Sequence, residues 1–277
     1  MEISYLEREG GRIAYEVEGE GPLVVLAHGM GDSRRAYRFL ASRLVAEGYR
    51  VASVDLRGHG DSTIGWPSYT RTDTAGDLVA LIRHLGGPAV IVGHSFAGGS
   101  ATIAAADAPE LVSGIVEIGP FTRAQKFDIG GMIRNRRHGK GMLLLLAAGA
   151  FRGVGMWKRY LDHAYPGEKP KDWSTYLGTL ETELRRPGRM AVVAKMGMNP
   201  PTDAGAKLPE VPVPALVVMG ELDPDWADPK AEADGIVAAL PAGSVAMIPG
   251  AGHYPHGQFP DRVAEVLLPY LAERTRG

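Results

Sequence analysis

Three side chains in this sequence have the types and the order to move a proton and attack a carbonyl. Ser95 stands in Val90-Ile91-Val92-Gly93-His94-Ser95-Phe96-Ala97-Gly98-Gly99, an apolar β-branched run that stops at a glycine and reopens as a small-residue helix. A serine hydroxyl is a weak nucleophile and must be held where a base can reach it. A strand, a sharp turn and a helix lift it clear of a sheet, and small neighbours let the two backbones pass closely. Asp223 lies just past a second apolar run, Pro214-Ala215-Leu216-Val217-Val218-Met219-Gly220, with Pro224 after it. A carboxylate there can hold an imidazole in one tautomer and stabilise its protonated form. Asp225 is the alternative, because the loop offers two acids. His253 ends the glycine-rich turn Pro249-Gly250-Ala251-Gly252. Histidine is the side chain suited to taking a proton and returning it near neutral pH. His256 is its rival, without a preceding glycine.

These residues need strands that deliver them to one edge. Residues 3–7 and 12–18 alternate like two strands around Glu9-Gly10-Gly11. Residues 23–27 are apolar throughout, as in a parallel strand buried on both faces. Asp32 or Ser33 is placed to cap a helix running to about Glu47. Residues 50–55 form the next strand, and Thr72 or Asp73 starts a helix running to about Leu85. The strand before Ser95 follows, then a helix to about Asp107 and a strand over 112–119. From 121 to about 207 the pattern is helical, with no clear strand. Alternation resumes with strands over 214–220 and 244–248 and a last helix over 261–274. Alternating strands and helices predict a parallel sheet covered on both faces. In such sheets ligands bind beyond the carboxyl ends of the strands, where Ser95, Asp223 and His253 all fall.

Composition narrows the classes. The chain has 277 residues, 45% hydrophobic and 22% charged, enough for one α/β domain with an insertion. A formal net charge of -2 gives no general attraction to nucleic acid or anionic membrane. The absence of cysteine excludes disulfides, a thiol nucleophile and a thiolate-bound metal. Asp223, Asp225 and Asp228 raise the question of calcium, but the loop lacks the glycine and distal glutamate of an EF-hand, and no metal is expected. The first eight residues alternate charge without the apolar core of a signal peptide. The most apolar run, 142–151, is too short to span a bilayer. A cytoplasmic protein without a membrane span is the expectation.

The turn Gly93-His94-Ser95-Phe96-Ala97 is close to a Gly-x-Ser-x-Gly nucleophile elbow, with alanine as the mildest departure at its last position. Together with the chain order Ser95, Asp223, His253, it makes the sequence resemble the α/β-hydrolase superfamily, in its serine-nucleophile branch with a helical cap. The resemblance implies a mostly parallel, doubly wound α/β sheet, with the cap (121–207) inserted after the sixth strand into a core of 1–120 and 208–277. It assigns the oxyanion to the backbone amides of Met30, after His28-Gly29, and Phe96. His28, His59 and Asp61 are then scaffold residues, and His94 points away from its neighbour Ser95. Phe121, Leu146, Trp157, Trp173, Met196 and Tyr254 are expected to meet the substrate. The basic run Arg134-Asn135-Arg136-Arg137-His138-Gly139-Lys140 reads as a solvated helix end or as a contact to an anionic substrate or partner. It is too short and aromatic-poor for nucleic acid.

The implied activity is carboxylesterase-like, on a small-molecule acyl substrate and without a cofactor. Close neighbours in the superfamily keep the same three residues for C–C bond hydrolysis, perhydrolysis or haloperoxidase-like chemistry. Others bind a ligand with slow turnover, and a scaffold with an inactive site is the third class. Ser95 argues against epoxide hydrolases and haloalkane dehalogenases of this fold, which use an aspartate nucleophile.

Overall fold

The computed structural model describes residues 2–124, 129–151 and 153–275. Eight strands form one sheet. In chain order they are β1 (Ser4–Arg8), β2 (Gly11–Glu18), β3 (Leu23–Ala27), β4 (Arg50–Val54), β5 (Ala89–His94), β6 (Val112–Ile118), β7 (Ala215–Gly220) and β8 (Gly243–Ile248). Their spatial order is β1-β2-β4-β3-β5-β6-β7-β8. Only the β1–β2 and β2–β4 pairs are antiparallel; the other five are parallel. The expected mostly parallel, doubly wound sheet is therefore present.

The parallel order follows from the connections. Each parallel neighbour is reached by a crossover that must lay a helix on one face of the sheet. The helices α1 (Arg38–Ala46), α2 (Arg71–His84) and α3 (Phe96–Asp107) lie between the first six strands. Beyond β6 come α4 (Ile129–Arg134), α5 (Arg136–Phe151), α6 (Val154–Ala164), α7 (Trp173–Leu184), α8 (Arg189–Gly197) and α9 (Thr202–Lys207), before the chain returns to β7. The helices α10 (Pro229–Val237), α11 (Pro255–Gln258) and α12 (Pro260–Arg274) complete it. On one face of the sheet Val25, Ile91, Ile115 and Val217 pack with Leu78, Leu81 and Ile82 of α2. On the other, Val24, Val90, Val92 and Val116 pack with Leu40, Leu44, Leu267 and Leu271. Both faces are covered, so β3, β5 and β7 are buried along their whole length. A third cluster, around Trp157, Tyr160, Leu161, Tyr165, Tyr176 and Leu180, includes Tyr254 from the segment after β8.

Two helix starts differ from the sequence-based expectation. Neither Asp32 nor Ser33 caps a helix with its side chain: a 3-10 turn, Arg34–Tyr37, intervenes before α1. Asp32 is taken instead by the Tyr176 hydroxyl of α7, which donates to it at 2.6 Å. Helix α2 starts earlier than Thr72, with Thr70 as its N-cap. Thr70 and Asp73 form a reciprocal capping box, each side chain accepting the other's backbone N–H.

The sheet order reverses between β3 and β5. From β3 the chain moves to β4 on one side; from β5 it proceeds through β6, β7 and β8 on the other. The loops after β3 and β5 separate at this point and leave a crevice, the favoured ligand position in open α/β sheets.

Candidate active site

Ser95 occupies the tip of the β5–α3 turn with φ 54° and ψ -114°. It is the one described non-glycine residue with positive φ. Such backbone strain persists only where surrounding contacts enforce it. Here its N–H donates to the Ile118 carbonyl at 2.8 Å, and its carbonyl accepts from Gly98 at 3.0 Å and Phe121 at 3.2 Å. The close approach that needs glycine falls at two positions. A Cβ at Gly93 would lie 2.3 Å from the Ala97 carbonyl oxygen, and one at Gly98 would lie 2.7 Å from Pro120. Position 97 itself has room for a methyl group, which explains its departure from the elbow pattern.

The acid and the histidine come from the ends of β7 and β8. His253 Nδ1 donates to Asp223 Oδ2 at 2.8 Å, and Asp223 Oδ1 accepts the Asp225 N–H at 3.0 Å. All three residues are buried. A bond from Nδ1 leaves Nε2 as the acceptor in the neutral ring, the tautomer a general base requires. A Cβ on Gly119 would sit 3.0 Å from His253 Nδ1, so the end of β6 must be bare for the ring to fit. The His253 N–H donates to the Ala164 carbonyl at 2.9 Å, tying this loop to the end of α6. Ligand atoms of Asp223, Asp225 and His253 lie within 4.8 Å of one another, a set able to share a proton or hold an ion.

Ser95 and His253 line the same cavity, of about 610 Å³, with Met30 and Phe96 in its wall. Ser95 Oγ makes no hydrogen bond among the described residues and is free to meet a ligand. The Met30 loop is anchored by its neighbours at Gly31. His59 Nε2 accepts the Gly31 N–H at 3.0 Å, and Trp157 Nε1 donates to the Gly31 carbonyl at 2.9 Å. Gly29 must be glycine because His94 Nδ1 would lie 2.7 Å from any Cβ there.

The remaining histidines sort by their contacts. His28 Nδ1 donates to the Gly29 carbonyl at 2.7 Å while Nε2 accepts from the Leu56 N–H at 3.0 Å. Burial draws His28 down to about 4 and His59 to about 3, so both rings are neutral scaffold. Asp61 accepts from Arg34, in a network where Arg34 also meets Asp55 and Glu16. His94, next to Ser95 in the chain, donates Nε2–H to the His253 carbonyl at 2.9 Å. His256, the rival base, stacks on Tyr37 at 4.5 Å and lies outside the cavity wall. Asp228 caps α10 by accepting the Ala231 N–H at 3.0 Å.

Of the expected substrate contacts, Phe121, Leu146, Trp157, Met196 and Tyr254 line the cavity. Trp173 does not: its ring is taken up against Tyr165, with centroids 4.5 Å apart, and does not reach the cavity. Among the wall residues that escaped the sequence analysis are the polar groups Arg71, Tyr160 and Asn199. No local pattern marks them: Arg71 opens α2, Tyr160 lies within α6, and Asn199 lies just past the end of α8. Part of the basic run docks onto the Asp223 loop. His138 Nδ1 donates to the Pro224 carbonyl at 3.0 Å, and Asn135 Nδ2 donates to the Ala227 carbonyl at 2.9 Å.

A mostly parallel sheet with a strained serine at one strand end and a hydrogen-bonded aspartate–histidine pair at two others defines the α/β-hydrolase class. The chain belongs to the alpha/beta hydrolase family, which it matches over residues 24–266. It is 28% identical over 272 residues to the 2-(acetamidomethylene)succinate hydrolase of Mesorhizobium japonicum, covering 94% of this chain and 92% of that one. Among solved structures, an esterase from Exiguobacterium antarcticum superposes with a TM-score of 0.78 at 22% identity, over 95% of this chain and 97% of the other. A serine hydrolase involved in carbazole degradation gives 0.78 at 20% identity, over 98% and 99%. Among the described residues no helix is long and apolar enough to cross a membrane.

Proposed function

We propose that the protein is a serine hydrolase, carboxylesterase-like, that cleaves a small ester or related acyl substrate through an acyl-enzyme. The observation that carries this reading is the 2.8 Å bond from His253, in the cavity wall, to Asp223, with the strained Ser95, whose Oγ is unbonded, in the same wall. Asp223 orients the His253 ring. Neutral His253 takes the Ser95 proton at Nε2 as Oγ attacks the carbonyl carbon. The amides of Met30 and Phe96, neither of which has an acceptor among the described residues, receive the developing oxyanion. His253 then hands its proton to the leaving group as the bond to it breaks. Water, deprotonated by the same nitrogen, attacks the acyl-enzyme; as the acyl–Oγ bond breaks, His253 returns the proton to Oγ, releasing the acid and free Ser95.

The segment 121–207 serves as a cap on a core of 1–120 and 208–277. Support for this division is that Leu146, Trp157 and Met196 face Ser95 and His253 across one cavity. The name of the Mesorhizobium japonicum relative contains an acetamido group, which supports including amides among the acyl substrates.

The test is the initial rate on p-nitrophenyl esters of graded acyl length, for the native protein and Ser95→Ala. Hydrolysis and fluorophosphonate labelling should both vanish in the variant. Equal hydrolysis by the two proteins would overturn the assignment of the nucleophile.

A further inference from the structure

The cavity wall holds a cation that this chemistry does not use. Arg71 opens α2 and is 4% exposed. It runs against α3 where Gly99 makes room: a Cβ there would lie 2.7 Å from Arg71 Cδ. Nε donates to the Phe121 carbonyl at 3.1 Å and Nη1 to the Asn199 carbonyl at 2.9 Å. The guanidinium lies over the Phe96 ring, 4.4 Å from its centroid, beside the residue that follows the nucleophile. Nη2 has no hydrogen-bond acceptor among the described residues, and no described carboxylate lies within ion-pair distance of the group.

A guanidinium taken out of water without a counter-charge is costly. The core pairs such groups elsewhere. Arg34 meets Asp55, Glu16 and Asp61, and Arg57 meets Asp77 and Asp73. Arg189, bonded to carbonyls, still feels Asp55, Asp61 and Glu183. Arg71 feels only Asp203, which is engaged by the Thr72 hydroxyl. Burial draws the Arg71 guanidinium down to about 10, against the pull of Asp203, which leaves it charged at neutral pH. Two carbonyls and one ring fix its plane, and the remaining donor edge is available to a planar anion.

We propose that Arg71 is a carboxylate-binding residue of the cavity, so that the substrate is an acyl compound carrying an anionic carboxylate near its scissile bond. This rests on the serine-hydrolase reading of the site. The carboxylate pairs with the donor edge beside Phe96, and the apolar wall around Phe121 and Met196 takes the rest of the molecule. Binding supplies the counter-charge that the free protein lacks.

The experiment compares matched esters. p-Nitrophenyl hemisuccinate carries its carboxylate on the acyl side, with p-nitrophenyl butyrate as its neutral partner. 4-Acetoxybenzoate carries it on the leaving group, with methyl 4-acetoxybenzoate as partner. In one pair the anionic ester should be preferred, and Arg71→Met should lower the anionic-to-neutral ratio of kcat/KM about 10- to 100-fold, mainly through KM. Arg71→Lys should recover part of the ratio. Taking a ratio cancels any general loss from altered packing, and should Arg71→Met fail to fold, Arg71→Lys carries a smaller fall. A native preference for the neutral ester in both pairs, or equal losses on both members, would overturn the proposal. Calorimetry with glutarate keeps it separate from the catalytic reading. Ser95→Ala should bind glutarate, and Ser95→Ala with Arg71→Met should not. No binding, or the same binding in both, overturns the Arg71 assignment even if Ser95 proves to be no nucleophile. Loss of Ser95-dependent hydrolysis with the glutarate difference intact would remove only the catalytic reading.

Discussion

Asp225 Oδ2 lies 3.4 Å from His253 Nε2, the ring nitrogen opposite the one that bonds Asp223. One buried imidazole is therefore flanked by two carboxylates. Asp225 Oδ2 also accepts the Tyr160 hydroxyl at 2.7 Å, while Oδ1 has no partner. Burial works against charge on His253, yet Asp223 and Asp225 overcome it and push the ring up to about 9. Burial likewise pushes Asp225 up to about 6, against the pull of His253.

A base acts only in its deprotonated form, so kcat/KM on an ester should climb as pH approaches 9. Asp225→Asn removes one of the two anions that hold the proton. The ascending limb should move to lower pH by about one unit, and activity at pH 7 should rise several-fold. Asp223→Asn should instead lower kcat by about a thousandfold or more, because it disturbs the tautomer itself. A pH profile of Asp225→Asn with an unmoved limb would count against this assignment of charge.

Ser95 bears backbone strain, since φ 54° with ψ -114° is a conformation that side chains disfavour. Ser95→Gly relieves that strain, offset in part by the greater freedom of glycine in the unfolded chain. The net gain should be about 1 kcal/mol in urea unfolding, with hydrolysis abolished. Ser95→Ala should abolish hydrolysis without the gain. Equal stability of the two variants would contradict it.

Gly31 joins the loop after β3 to α6. Its φ is +70°, and a Cβ would sit 2.4 Å from the Trp157 ring. Gly31→Ala must move either Trp157 or the adjoining Met30 amide. Ester hydrolysis should drop by about tenfold or more, because loss of an oxyanion donor costs at least that. Unfolding free energy should fall by about 1–3 kcal/mol, as for overpacking. Unchanged kcat in a well-folded Gly31→Ala protein would separate Met30 from the oxyanion.

Glu117, inside β6, is fully buried. It accepts the Thr102 hydroxyl on Oε1, and Oε2 has no partner. Burial, against the effect of Thr102, pushes it up to about 7 from 4.5. The folded state thus holds a proton that the unfolded state gives up. Stability from this group is complete below about 4.5 and is lost as pH rises toward and through 7. Glu117→Gln should therefore gain on the order of 2 kcal/mol relative to the native chain between pH 5 and pH 8. The same difference in unfolding free energy at both pH values would show that Glu117 does not titrate in this window.

Sequence alone determined the sheet and which residues lie at its strand ends. Apolar runs rich in β-branched residues mark β3, β5 and β7, because a strand buried on both faces has no polar positions to spare. Ser95, Asp223 and His253 are legible because each sits within a few residues of such a strand end, where turn chemistry is local. Tertiary structure decided the rest. Tyr160 reaches Asp225 across 65 residues of chain, and Trp157 reaches Gly31 across 126. Arg71 turns into the cavity because Gly99, on another helix, leaves the space. Trp173, an equally plausible aromatic, faces Tyr165 instead. Helical periodicity states which residues share a face, but the crossing of helices over the sheet decides which face meets Ser95.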